Sequence, residues 1–292
     1  MKNGALPCSK PNAILNLMRG LASLVVLAGH IRLFLFCNYN ELSAPSFFVK
    51  LFYYITGFGS QAVVIFFVLS GYLVGGSVLN TRRPGFWPHY LLQRLSRLWV
   101  VLIPCLVITF ILNKIGMHTG GVDYLAGIDN PPIYAAPDKP VELGLANFFS
   151  NLAFLQTIAA PVFGDNQPLW SLSNEFMYYL LFPLVIFGFQ KNTILKTPKR
   201  LVYIGLSIGI TWMMPPQMRL GFLVWCMGAA TYVLSRNITL HRAGLMAGSC
   251  VAFVTCGLVF HFSRVTEVSM LWIGLTYAIL LFFSSHWRIS CL

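Results

Sequence analysis

The chain has 292 residues, of which 57% are hydrophobic and only 10% charged, with a formal net charge of +12. Soluble domains carry about 25% charged residues, so there are too few charges here to wet the surface of a 32.7 kDa globule. Disorder, which needs low hydrophobicity and high charge, is excluded as well; a mean hydropathy of +0.71 leaves an integral membrane protein.

A helix crossing a bilayer needs about 20 mostly apolar residues. In chain order such stretches run Ile14–Phe36, Ser60–Leu79, Leu98–Gly116, Leu169–Phe189, Leu201–Met214, Met218–Leu234, Ala243–Phe262 and Val268–Ser285. The expected fold class is therefore all-α, a polytopic transmembrane helix bundle of about eight spans. Leu201–Met214 is the weakest of them, because it is short and runs into Pro215-Pro216. Met1–Pro11 is polar, and the first apolar run is too long for a secretory signal and lacks a cleavage site. Two intervening segments are longer than turns. Phe47–Gly59 is aromatic and reads as interfacial. Met117–Pro168 reads as a long loop, polar to Asn147 and then apolar, serving either function or simple connection.

Charge sets the orientation. With the amino terminus inside, Lys2, Lys10, Arg82, Arg83, Arg94, Arg97, Lys191, Lys196, Lys199, Arg200, Arg236, Arg242 and Arg288 fall on one side. Lys50, Lys114, Lys139, Arg219 and Arg264 fall on the other. The bias places both termini in the cytoplasm. Because the basic residues lie between apolar runs and not in one block with interleaved aromatics, no nucleic-acid partner is expected. The seven cysteines form no C-x-x-C pair and read as small apolar fillers. His, Asp and Glu show no zinc-like spacing, so no metal is expected.

Ionisable groups inside spans are costly and mark pathways or reaction sites. Arg19 and His30 stand 11 residues apart in the first span. That is three turns plus about 20°, hence one helix face, with about 16 Å between them along the axis. The face offers an anion-binding guanidinium near the cytoplasm and a proton-transfer group deeper in, although a lone histidine also serves as a hydrogen-bonded structural residue. Arg32 points elsewhere, toward the outer interface. Arg94 and Arg97, three apart, share a face; they are either a plain positive-inside signal or a phosphate site for an anionic cytosolic donor. Glu175 sits at the outer end of Leu169–Phe189, with Ser171 four residues before it and Tyr178 and Tyr179 three and four after. Its carboxylate either orients His30 or is simply hydrated.

Four stretches together resemble the acyltransferase-3 family of integral membrane O-acyltransferases. They are LMRGLASLVVLAGH with Arg19 and His30, AVVIFFVLSGYLVG with Phe66, Phe67, Ser70 and Gly71, HYLLQRLSRLWVVLIP with Arg94 and Arg97, and LWSLSNEFMYYLLFP with Trp170, Ser171, Ser173 and Glu175. The resemblance implies transfer of an acyl group, acetyl first among them, from cytosolic acyl-CoA to a hydroxyl of an extracytoplasmic glycan or a lipid-linked sugar. It also implies a bacterial inner (plasma) membrane setting and a role in polysaccharide modification. Under it His30 is catalytic with Glu175 in support, Arg19, Arg94 and Arg97 hold acyl-CoA, and Ser70, Trp170, Ser171 and Ser173 are supporting residues. Acyl-CoA enters as donor substrate, and no bound cofactor is expected. The expected organisation is one membrane domain over residues 1–292. The family usually has about ten spans, so its last helices are the ones in question here. A transporter or flippase, or an inactive truncated member of the family, are the alternative readings.

Overall fold

The computed structural model describes residues 13–81, 85–126, 141–189, 197–239, 241–262 and 266–286. Of the residues used for orientation, Lys2, Lys10, Arg82, Arg83, Lys139, Lys191, Lys196, Arg264 and Arg288 lie outside these ranges. The regular structure is helical, and seven of the described helical segments are long and apolar enough to cross a membrane. The fold is a polytopic helix bundle. The chain divides into two compact units, one of Met1–Leu73 with Val224–Leu292 and the other of Val74–Leu223.

The first unit begins with α1 (Ala13–Leu35) and α2 (Phe47–Thr56). It continues with α3 (Gly59–Ser70) into a π turn at Gly71–Gly75, within which the second unit begins at Val74, followed by that unit's α4 (Gly76–Asn80). Phe47–Gly59, expected as an interfacial segment, is helical up to Thr56. Helix α1 packs on α2 and α3, and α3 on α11 (Glu267–His286), which also packs on α10 (Arg242–Phe262). The sequence of α1 explains its seating. Leu15, Ala22 and Gly29, seven apart, are buried, while Leu17, Leu21, Leu24, Leu27, Ile31 and Leu35 are exposed. At about 100° per residue the two sets point in nearly opposite directions. An apolar stripe facing away from the protein interior is what a lipid-facing helix requires.

The second unit is built on α5 (Phe86–Ala126), α6 (Leu145–Leu152), α7 (Leu169–Phe189) and α8 (Thr197–Met213). Helix α5 has 41 residues, about 61 Å at 1.5 Å per residue. It extends past the expected Leu98–Gly116 at both ends, so the segment read as a loop from Met117 starts as helix; no proline stands between Met117 and Pro131 to stop it. Its buried positions Tyr90, Leu98, Leu102, Leu106, Thr109 and Asn113 form a seam at steps of three, four and eight, and α7 packs against α5. The two run antiparallel, since Phe86 meets Phe187 at 5.0 Å and Asn113 donates to Asp165 at 2.7 Å. Helix α8, the weakest expected span, has 17 residues. At about 26 Å it is shorter than a bilayer core of about 30 Å. Helix α9 (Pro216–Asn237) then carries the chain back to the first unit's residues.

Between α6 and α7 the backbone is knitted by buried amides. Asn151 donates to Asn147 Oδ1 and to the carbonyls of Asn147 and Pro161 at 2.9–3.0 Å, and accepts from Phe163 N–H at 3.1 Å. Asn147 in turn donates to the carbonyls of Glu142 and Val162. Gln156 donates to Leu169 O at 2.9 Å. Loop carbonyls that would otherwise lose their water on burial are satisfied in this way. Residues 141–168 are therefore a folded connector, not a solvated strand of chain.

Candidate active site

In the first unit, Arg19 and His30 both lie half-buried on α1. Their direction around the helix is about 60–80° from the Leu15/Ala22/Gly29 seam, so they flank the packed face and do not face the lipid stripe. The backbone beside His30 is pinned. A Cβ on Gly29 would stand 3.1 Å from Thr56 O and 3.6 Å from Gly59 Cα, so α1 approaches the α2–α3 junction closely here. Arg32, two residues on from His30, is half-buried as well. Its guanidinium lies 5.3 Å from the centre of the Tyr53 ring, and its Nε is buried with no hydrogen-bond partner. Tyr53 itself donates to Cys37 O at 2.6 Å.

Ser70 lies in the same unit, one residue before the π turn. Its Oγ accepts from Trp225 Nε1 at 3.1 Å, and Trp225 is fully buried. Next to it, Gly71 abuts the Trp225 carbonyl so closely that a Cβ would overlap the oxygen, and Gly228 abuts the Val68 carbonyl in the same way. The S-G element is thus a backbone-to-backbone crossing of the kind small residues permit between membrane helices.

In the second unit the paired arginines part company. Arg94 falls in the buried seam of α5, four residues from Tyr90 and from Leu98, and is half-buried; Arg97 is exposed. The guanidinium of Arg94 lies 5.4 Å from the centre of the Tyr90 ring and 5.6 Å from that of Tyr179, with Nε buried and unbonded. Two aromatic faces in this range hold a cation by their quadrupoles. Tyr179 also donates its hydroxyl to Glu175 Oε1. A guanidinium, a phenol and a carboxylate are thereby brought together on α5 and α7.

The local sequence accounts for this seat. Pro183, inside α7, has no N–H, so the carbonyl four residues earlier, that of Tyr179, loses its helical donor. Tyr90 Oη takes the place of that donor at 2.9 Å. The proline thus fixes the Tyr90 side chain, and with it one wall around Arg94. Tyr90 and Pro183 were not among the residues singled out from sequence; a proline four residues after a motif tyrosine was the available signal.

The remaining motif residues have structural partners. Ser171 donates to Pro168 O at 2.9 Å at the start of α7. Ser173 is fully buried and donates to Phe154 O at 3.0 Å, which holds Phe154 at a backbone φ of 60° that is uncommon for a side-chain-bearing residue. Trp170 is half-buried, its N–H donating to Gln167 O at 3.1 Å. A separate apolar cavity of about 500 Å³ is lined by Leu181, Val185, Met214, Leu220 and Phe222 with Arg219, and none of the expected site residues lines it. Among the described residues no three His, Cys, Asp or Glu side chains gather to hold a metal ion.

The family described as Acyltransferase domain matches residues 12–292. A relative named "O-acetyl transferase", from Shigella phage Sf6, is 27% identical over 164 residues, which cover 53% of this chain. The match spans 44% of that relative, less than half its length. No solved structure matches the chain.

Proposed function

Because the chain belongs to the acyltransferase-3 family, we propose that it transfers an acyl group, acetyl first among candidates, from cytosolic acyl-CoA to a hydroxyl of an extracytoplasmic glycan or lipid-linked sugar. The observation that carries this reading is the seat of Arg94. A guanidinium clasped by two tyrosines, one of them bonded to a carboxylate, suits an anionic donor better than it suits a lipid-facing topology signal.

The proposed orientation has both termini cytoplasmic in a bacterial inner membrane. Helix α5 is about twice as long as a bilayer core is thick, so its first turns extend to the cytoplasmic boundary. Arg94 and Arg97 lie about 12 and 17 Å along it from Phe86. There the exposed Arg97 and the clasped Arg94 bind donor phosphates. His30 takes the proton of the acceptor hydroxyl. The acceptor oxygen bonds to the acyl carbon, the thioester C–S bond breaks, and the thiolate leaves as CoA and takes up a proton. An acyl-histidine relay divides the same balance into two steps. Glu175 is the second proposed catalytic group, its carboxylate accepting from the Tyr179 hydroxyl.

The test is labelled acyl-CoA supplied to purified protein in sealed liposomes with a glycan acceptor. Label is expected on the acceptor, with free CoA on the donor side. Label that crosses intact would make the protein a transporter, and label that stays on CoA would make it inactive. Transient label on the wild-type chain that His30→Ala abolishes would select the relay.

The donor side is checked separately. Arg94→Ala with Arg97→Ala is expected to weaken acyl-CoA binding by at least about 10–150-fold, the worth of one lost charge-assisted contact, in a protein that still folds. Unchanged affinity would reduce the pair to a topology signal. For orientation, single cysteines placed at Asp138 and Lys196 in a cysteine-free background are expected to differ. An impermeant thiol reagent outside sealed cells should modify the first and not the second; modification at Lys196 would reverse the assigned sidedness.

A further inference from the structure

Three parts of Tyr179 are held by three different neighbours. Its carbonyl accepts from Tyr90 Oη, because Pro183 leaves it without a helical donor. Its ring lies under the Arg94 guanidinium. Its hydroxyl donates to Glu175. The side chain is 2% exposed, so it has little freedom to satisfy these partners one at a time. The phenol O–H and the carboxylate oxygen form a directional hydrogen bond that holds both groups in one geometry.

We propose that Tyr179 is a positioning residue that ties the donor-binding guanidinium of Arg94 to the Glu175 carboxylate, its ring serving donor affinity and its hydroxyl serving turnover. This assignment rests on the acyl-CoA reading above. It separates two functions on one side chain, and conservative substitution can separate them too. Tyr90 completes the clasp with its ring, and its hydroxyl satisfies the Tyr179 carbonyl.

The experiment compares wild type, Tyr179→Phe, Tyr179→Leu, Glu175→Gln and the Tyr179→Phe/Glu175→Gln pair in detergent. Each is checked for an unchanged thermal transition, then measured for acyl-CoA affinity by calorimetry and for turnover. Tyr179→Phe keeps the ring and loses the hydroxyl. Its donor affinity is expected within about 2-fold of wild type, and its turnover about 10- to 100-fold lower. Tyr179→Leu loses both parts and is expected to weaken donor affinity as well, by about 2- to 30-fold, the range of a cation–π contact. If the hydroxyl acts through Glu175, the double variant is no slower than the slower single variant. Wild-type turnover in Tyr179→Phe overturns the proposal, as do fully additive losses in the double variant. If Tyr179→Phe does not fold, Glu175→Gln decides: turnover lost at near wild-type donor affinity supports the division, and equal loss of both overturns it. A wild-type protein that neither binds acyl-CoA nor transfers from it would instead overturn the underlying reading, a result distinct from any of these.

Discussion

His30→Ala is expected to abolish acyl transfer while leaving expression, thermal stability and donor affinity near wild type. The side chain is half-buried on the flank of α1, and the backbone beside it is set by the Gly29 approach to Thr56 O and Gly59. Truncating His30 leaves that approach intact, because Gly29 and not the imidazole makes it. His30→Gln is the sharper variant. Its amide can donate and accept hydrogen bonds but cannot take a proton near neutral pH, so it is expected to fail as well. Loss of a general base costs about 10²–10⁴ in rate, and single-turnover measurements with saturating acyl-CoA would register it free of any change in donor binding. A Gln variant turning over near the wild-type rate would mean that His30 only places groups by hydrogen bonding. The base would then have to be sought elsewhere, with Glu175 the first candidate.

Helical periodicity made part of this site legible. Arg19 and His30 could be placed on one face of one helix because 11 residues close three turns, and both are half-buried on α1 in the structure. The same reasoning treated Arg94 and Arg97 as equivalents and missed their difference. Three residues leave about 60° between them, enough to put Arg94 in the seam between Tyr90 and Leu98 and Arg97 outside it. What decides between them is the partner helix. The carbonyl that Pro183 frees on α7 draws in Tyr90 Oη, and no property of α5 alone announces this. The folded connector was hidden for a similar reason. Asn147, Asn151 and Gln156 look like ordinary polar loop residues until the backbone groups they satisfy are brought around them. Serines of the W-S-L-S segment, which suggested chemistry by their residue type, are spent on the start of α7 and on the Phe154 carbonyl.

The largest structural effect is expected from a single methyl group. At Gly71 a Cβ would overlap the carbonyl oxygen of Trp225, with the carbonyl carbon at 2.8 Å and Ala229 N at 3.3 Å. At Gly228 it would overlap the Val68 carbonyl oxygen, with Tyr72 N also at 2.8 Å. Overpacking against side chains typically costs about 1–3 kcal/mol because rotamers give way. Here the obstacle is backbone on both sides, and relief requires α9 to move away from α3, breaking the Trp225–Ser70 hydrogen bond. The cost is therefore expected to exceed about 3 kcal/mol, a large share of a typical folding free energy of about 5–15 kcal/mol. Gly71→Ala and Gly228→Ala should each leave little monodisperse protein in detergent at 37 °C. Two further glycines calibrate the result. A Cβ on Gly257, in α10, meets nothing within 4 Å, so Gly257→Ala should be neutral or raise the melting temperature, since alanine is favoured over glycine in a helix interior by about 0.5–1 kcal/mol. At Gly248 the obstacle is the ring of Phe283, a side chain that can turn aside, so Gly248→Ala should fall between the extremes. If Gly71→Ala behaves like Gly257→Ala, the S-G element does not hold the helix crossing, and Ser70 and Gly71 would have to be reconsidered as groups that meet the substrate.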